Sequence, residues 1–193
     1  MHQNNAELAA RMESFELAFR MQMAAPEAFD LSRESIAIHA MYGTNNPRCA
    51  HVAKQTLAAR RLVERGVRFI QIYSGGMENE RSWDGHSDIE SNHRQFAGET
   101  DQPVAALLSD LKNRGLLDST LVIWGGEFGR LPVAQRSKGN QAKGRDHNPH
   151  AFTIWMAGGG VRAGSIYGST DELGYAAVEN PIDVHDLHAT MLR

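Results

Sequence analysis

Three short stretches of the chain combine carboxylate, imidazole and guanidinium side chains beside glycine. They are Trp83-Asp84-Gly85-His86, Gly125-Gly126-Glu127-Phe128-Gly129-Arg130 and Gly144-Arg145-Asp146-His147-Asn148-Pro149-His150. Carboxylates and imidazoles are side chains that bind divalent metals and transfer protons in catalysis. A guanidinium group matches the oxygens of phosphate and sulfate. The combination predicts an enzyme site.

The first and third stretches carry the metal-ligand candidates with the most direct chemistry. Asp84 and His86 are two residues apart, so in an extended segment their side chains point the same way. Both can then bind one cation, or one can orient the other as a base. His147 is the predicted metal ligand of the third stretch, with Asp146 as its co-ligand or orienting partner.

The second stretch places an acid and a base directly after a predicted strand. Glu127 must be hydrated, paired or coordinated there, because burying a bare carboxylate is costly. Arg130 is either its ion-pair partner or a binding group for a phosphate or sulfate anion. For the site as a whole, mixed imidazole and carboxylate ligation favours Zn²⁺ or Mn²⁺ over Ca²⁺, which prefers an all-oxygen shell.

The elements that must position these loops follow from the hydrophobic pattern. Apolar runs rich in β-branched and aromatic residues predict strands at 67–73, 120–124 and 151–157. Helical spacing predicts helices at about 5–23, 35–41, 48–65, 89–98, 100–114 and from 185 onward. Pro103 is the reason for separating the fourth and fifth helices. Alternating helices and strands predict an α/β fold with parallel strands, whose carboxyl ends carry the site.

The composition excludes several classes of function. The chain has 193 residues and a formal net charge of −3, so neither nucleic acid nor an anionic membrane surface is a predicted partner. The single cysteine, Cys49, excludes an internal disulfide and a multi-cysteine zinc cluster. No apolar stretch approaches the roughly eighteen residues of a membrane span. The first twenty or so residues are amphipathic and carry acids, which does not fit a signal peptide.

Both ends of the chain look cut. A helical pattern is already present at Asn5, and the one that begins near His185 stops after two or three turns. We therefore expect residues 1–193 to be a single partial domain of a longer protein. Residues 1–47 are a helical or irregular lead-in, and residues 48–193 are the α/β part.

The motifs resemble those of the DUF1501 family, sulfatase-like proteins of the alkaline phosphatase superfamily. Besides the three stretches above, the resemblance rests on Ser14–Arg20, Arg60–Phe69, Asp110–Thr120, Ala157–Val161 and His185–Thr190. Together the motifs span nearly the whole chain, in the order that the family would have them.

The resemblance implies a three-layer α/β/α sandwich with a mostly parallel sheet, incomplete in this chain. It implies a metal-dependent hydrolase of small sulfate or phosphate esters. By position, Asp84 and His86 look like the middle ligand group, Glu127 like the strand-end acidic ligand and His147 like the late histidine. Arg130 or Arg145 would hold the oxyanion. Phe128 departs from the superfamily's usual pattern, which has an Asp-His pair at this point.

The resemblance also places the nucleophile in an amino-terminal part that this chain lacks. Cys49 is followed by Ala50 and His51, which is not the pattern that sulfatases modify. We therefore expect the chain alone to be inactive, as the carboxy-terminal part of a longer hydrolase domain. Members of the family commonly carry an export signal, which would make the parent protein an exported one. The alternative is a non-catalytic, metal-stabilised binding protein on the same fold.

Overall fold

The computed structural model describes residues 6–75, 82–134 and 143–192, and helices dominate it. The helices and strands, in chain order, are α1 (Ala6–Phe29), α2 (Ile36–Tyr42), α3 (Ala50–Glu64), α4 (Ile89–Asn113), β1 (Val122–Trp124), β2 (Gly129–Arg130), β3 (His147–Asn148), β4 (Trp155–Ala157), β5 (Ser169–Thr170), β6 (Ala177–Glu179) and α5 (Val184–Met191).

Local capping chemistry explains where several helices begin and end. Ser35 accepts a hydrogen bond from the backbone N–H of Ile38 at 3.2 Å and starts α2, while Gly43 ends it with a φ of 79°. Asp183 and Asp186 form a capping box at the start of α5. The predictions of α2 and α5 are confirmed to within a residue or two.

Helix α4 corrects the prediction of two separate helices around Pro103. It runs unbroken from Ile89 to Asn113, with the ring of Pro103 buried in the core. Proline removes one hydrogen bond from a helix interior. Burial of the apolar face on both sides of that residue offsets the loss, so the helix continues.

The hydrophobic core lies where α2, α3 and α4 pack together. Its buried members are Tyr42, Ala53, Leu57, Ala106, Leu107 and Leu111. On α3 and α4 they are spaced so that they lie on one face of the helix, as expected for amphipathic helices that share one core.

A buried ion network joins the same helices. The side chain of Arg60 is only 2% exposed and lies 2.7 Å from Glu34 and 2.9 Å from Asp110. Arg61 also pairs with Glu34, and the hydroxyl of Tyr42 donates to Asp110 at 3.1 Å. Burial and the neighbouring Asp110 raise the pKa of Tyr42, so its hydroxyl stays protonated. Buried charges persist only when paired, so these contacts fix how the helices meet.

The sheets overturn the predicted three-layer α/β/α sandwich with a mostly parallel sheet. Among the described residues each sheet has two short strands, and every pair is antiparallel: β1 with β4, β2 with β3, and β5 with β6. Parallel strands need a long crossover connection, usually a helix, whereas antiparallel strands do not. No helix occurs among the described residues between β1 and β4, so those two strands pair directly with each other.

The predicted strand at 67–73 is also absent. This segment has no ladder partner within the described ranges, and the side chains of Phe69 and Tyr73 are 74% and 68% exposed. The segment has β-forming residues, but a strand also needs a neighbouring strand for its backbone hydrogen bonds, and none of the described residues supplies one. Among the described residues no helix is long and apolar enough to cross a membrane.

Candidate metal centre

Two segments from distant parts of the sequence meet at the candidate site. One precedes α4 and carries Asp84 and His86; the other leads into β3. The backbone N–H of Arg145 donates to Gly85 at 2.7 Å, and Asp88 forms a β-bridge with Lys143. Gly144 is buried at the crossing, where a Cβ atom would lie 1.9 Å from the carbonyl oxygen of His86. Only glycine allows the segments to approach this closely.

The strand pair β2–β3 fixes the second segment from its other side. Arg130 is the register partner of His147, and Leu131 donates to the carbonyl of Asp146 at 2.8 Å. Asn148 is fully buried, and its amide donates to the carbonyls of Gly174 and Tyr175 at 2.8 and 3.1 Å. Sequence reasoning gave Asn148 and Gly144 no role, because their partners are distant in sequence.

Three side chains come together as a possible ligand set. His86, Asp146 and His147 each offer an atom within 4.8 Å of the others, and the first two are half-buried. The Nε2 atom of His86 lies 3.7 Å from a carboxylate oxygen of Asp146. Donor atoms on a tetrahedral zinc ion lie about 3.4 Å apart, so the three side chains must draw together by about 1 Å to share one ion. Two imidazoles and one carboxylate fit Zn²⁺ or Mn²⁺.

Asp84 lies behind His86 and orients it. The carboxylate accepts hydrogen bonds from Nδ1 of His86 and, at 3.2 Å, from its backbone N–H. Burial raises the pKa of Asp84, but the hydrogen bonds from His86 and the charge of Arg130 outweigh it and hold the pKa below the usual value. An ionised Asp84 makes Nδ1 the protonated nitrogen and leaves Nε2 free toward Asp146. In metal sites, a carboxylate that accepts from one imidazole nitrogen commonly orients the other nitrogen toward the metal.

Trp83 holds the backbone in a conformation that presents Asp84. Its φ is +60°, which is uncommon for a residue other than glycine. The indole N–H donates to Ser74 at 3.1 Å, and the ring packs against His93 and Phe96. Burial and the charge of Arg130 lower the pKa of His93, which favours its neutral form. These contacts stabilise the backbone outlier at the site.

The two predicted oxyanion-binding arginines differ in whether their guanidinium groups are already hydrogen-bonded within the protein. Arg130 donates to the carbonyls of Trp83 and Arg145 at 3.1 and 3.3 Å, and lies 3.8 Å from Asp84. The side chain of Arg145 is exposed and makes no hydrogen bond or ion pair within residues 6–75, 82–134 and 143–192. Arg130 therefore braces the loops, and Arg145 has the guanidinium that is available to an anion.

Glu127 does not join the cluster. Its side chain is exposed, and across the described part of the chain it pairs neither with Arg130 nor with any other charged group. The neighbouring Phe128 instead contacts the ring of His147, with centroids 4.1 Å apart. His150, a further member of the third stretch, is exposed outside the cluster.

Comparison with known proteins gives one match. A family model described as "Protein of unknown function (DUF1501)" matches residues 1–193. Neither a curated protein nor a solved structure matches the chain.

Proposed function

The chain belongs to the DUF1501 family, and we propose that it carries the metal centre of a hydrolase that cleaves sulfate or phosphate esters. The cluster of His86, Asp146 and His147, with Asp84 hydrogen-bonded behind His86, is the observation that supports this proposal. An exposed Arg145 beside the cluster gives the site a cation for an ester oxyanion.

In this proposal each side chain has a separate task. His86, Asp146 and His147 hold a divalent metal, zinc or manganese, while Asp84 keeps the proton of His86 on Nδ1. When bound, the metal would polarise an ester oxygen and stabilise the charge that develops on it. Arg145 binds the remaining oxygens of the sulfate or phosphate group. Arg130 holds the two loops in register through the carbonyls of Trp83 and Arg145.

Metal content tests the first half of the proposal. The purified chain is analysed by plasma mass spectrometry beside a His86→Ala/His147→Ala variant. A His150→Ala/His188→Ala variant removes two exposed histidines outside the cluster and serves as the matched control. We expect near-stoichiometric zinc or manganese in the wild type and the control, and none in the cluster variant. Equal metal content in all three proteins would overturn the assignment.

Ester hydrolysis tests the second half. The assay uses the complete natural gene product that contains residues 1–193. We expect hydrolysis of 4-nitrophenyl sulfate or 4-nitrophenyl phosphate that is lost in the His147→Ala variant and on chelation of the metal. A full-length protein that binds metal but hydrolyses neither ester would favour a non-catalytic, metal-stabilised binding protein.

A further inference from the structure

A cleft of about 510 Å³ opens at the start of α4, next to the candidate metal centre. Three of its lining side chains are cationic: Arg48, Arg94 and Lys143. Two are acidic: Asp88 and Glu90. The volume lies in the range of small-molecule sites.

The cleft and the metal centre are built on the same two segments. Asp88 follows His86 by two residues, so their Cα atoms are at most about 7 Å apart. Lys143 forms the β-bridge to Asp88 and directly precedes Gly144, which packs on the carbonyl of His86. The cleft and the candidate metal centre therefore adjoin one another at the junction of these two segments.

The guanidinium of Arg48 is held in place across the surface of α4. Its Nη2 atom donates to the carbonyl of Arg94 at 2.9 Å. Gly98 lies beneath it, where a Cβ atom would be 1.8 to 2.2 Å from guanidinium atoms. Glycine is unfavourable inside a helix, and here its missing side chain is what makes room for Arg48.

The charges in the cleft are not balanced pairwise. Arg94 pairs with Glu90 at 2.9 Å. Asp88 accepts a hydrogen bond from the backbone of Ser91 and caps α4. Within the described ranges, neither Arg48 nor Lys143 has a carboxylate oxygen within ion-pair distance, although the charge of Lys143 acts on Asp88. Two cationic groups are thus available to a ligand.

We propose that Arg48 and Lys143 form a subsite for a second oxyanion group of the substrate. This inference rests on the proposed function and names its substrate class: a small ester that carries a further phosphate or sulfate group beside the ester that is cleaved. Both groups accept charge-assisted hydrogen bonds from guanidinium and ammonium donors. The carboxylate of Asp88 would repel an anion at this subsite, and the neighbouring charge of Lys143 partly offsets that repulsion.

Anion titrations followed by NMR test the subsite without any metal. The ¹⁵N-labelled chain is titrated with inorganic phosphate and, separately, sulfate, in the presence of EDTA at low, constant ionic strength. The background is the His86→Ala/His147→Ala variant, so the result does not depend on the metal centre. The reporters are the backbone amides of Ser91, Gln95 and Lys143.

We expect saturable shifts of these amides with at least one of the two anions. Arg48→Ala/Lys143→Ala should weaken binding about tenfold or more, the loss expected for charge-assisted hydrogen bonds. Lys112→Ala/Arg162→Ala removes two exposed cations elsewhere and should leave the affinity unchanged. Gly98→Ala should displace the guanidinium of Arg48 and weaken binding as Arg48→Ala does.

The proposal is overturned if neither anion shifts the reporter amides, or if the matched control loses affinity as much as Arg48→Ala/Lys143→Ala. Lys143→Ala alone changes no helix, so it reports on the subsite even if a variant at Arg48 is poorly folded. Unchanged affinity in that single variant would equally overturn the role of Lys143.

Discussion

At the residue scale, the two ring nitrogens of His86 face different partners. Nδ1 is hydrogen-bonded to Asp84, whereas Nε2 lies 3.7 Å from Asp146. An acceptor on one nitrogen decides which nitrogen carries the proton and which can bind a metal. In the proposed metal centre Asp84 would therefore act through His86, whereas the sequence left both this role and direct ligation open.

Replacing Asp84 with asparagine should weaken metal binding. The amide no longer carries the charge that stabilises the proton on Nδ1, and loss of such a partner reduces metal affinity about 10- to 100-fold. Competition against a chromophoric chelator with zinc measures the change. Asp101→Asn, at an exposed position on α4, is the control. An Asp84→Asn affinity equal to that of the wild type would mean that Asp84 does not orient His86.

Gly144→Ala should separate the two segments that carry the cluster. The new Cβ atom would lie 1.9 Å from the carbonyl oxygen of His86. This contact is with backbone, so one of the two segments must shift to relieve it. We expect a loss of about 1–3 kcal/mol in the free energy of unfolding, together with weaker zinc binding. Urea denaturation and the chelator competition measure the two effects.

Gly126→Ala is the matched control for this substitution. A Cβ atom there meets only the carbonyl of Phe128, at 3.3 Å, so the expected change is within about 0.5 kcal/mol. Equal effects of the two substitutions would show that close approach at Gly144 does not matter.

At the scale of elements, the helices are joined by charges as well as by apolar packing. Arg60 and Arg61 on α3 meet Glu34, which precedes α2, and Arg60 also meets Asp110 on α4. Burial raises the pKa of Glu34, but hydrogen bonds from Arg60 and Arg61 outweigh it and lower the pKa below the usual value. Glu34 thus makes the association of these helices pH-dependent.

Glu34→Gln should make the free energy of unfolding depend less on pH in the acid range. A carboxylate with a lowered pKa stabilises the fold above its unfolded pKa of about 4.3, and this contribution is lost as the pH falls through the folded pKa. Near neutral pH the variant should lose about 3–5 kcal/mol, because it leaves the buried Arg61 without a carboxylate and removes one of the carboxylates paired with Arg60. Urea denaturation across this pH range measures both effects.

The exposed Glu13→Gln variant on α1 is the control for the pH series and should follow the wild type. If the curves of Glu34→Gln and the wild type stay parallel down to about pH 3, below the usual glutamate pKa, the linkage assigned to Glu34 is wrong.

At the scale of the whole molecule, stability and chemistry occupy different regions. The buried core belongs to α2, α3 and α4, whereas the candidate metal centre is built on loops and two-residue strands beside the start of α4. Loops supported by a rigid scaffold commonly carry function. Mutations in the core should therefore unfold the chain, and mutations in the cluster should change metal binding with little loss of stability.

Leu57→Ala tests where the core lies. Its side chain is fully buried, so truncation should cost about 2–5 kcal/mol in the free energy of unfolding. Ile166 is 94% exposed, and Ile166→Ala should change the value by less than about 0.5 kcal/mol. Urea denaturation of both variants measures the difference, and similar losses at the two positions would contradict this location of the core.

The sequence by itself determined what depends on near neighbours along the chain. The positions of α2 and α5, the apolar faces of the helices, and the residue types of the three polar stretches are all local features. The family also followed from these motifs, and the match over residues 1–193 confirms it. Strand propensity at 67–73 was local too, but propensity cannot supply the neighbouring strand that a sheet requires.

Only the tertiary structure decided which distant groups meet. His86 and Asp146 are sixty residues apart, and their approach depends on Gly144 fitting against the carbonyl of His86 and on the pairing of β2 with β3. The same pairing turns Phe128, rather than Glu127, toward His147. It was likewise tertiary pairing that made the sheets antiparallel. Residue types limit the chemistry that a site can perform. Backbone packing between segments far apart in sequence decides which of those residues come together.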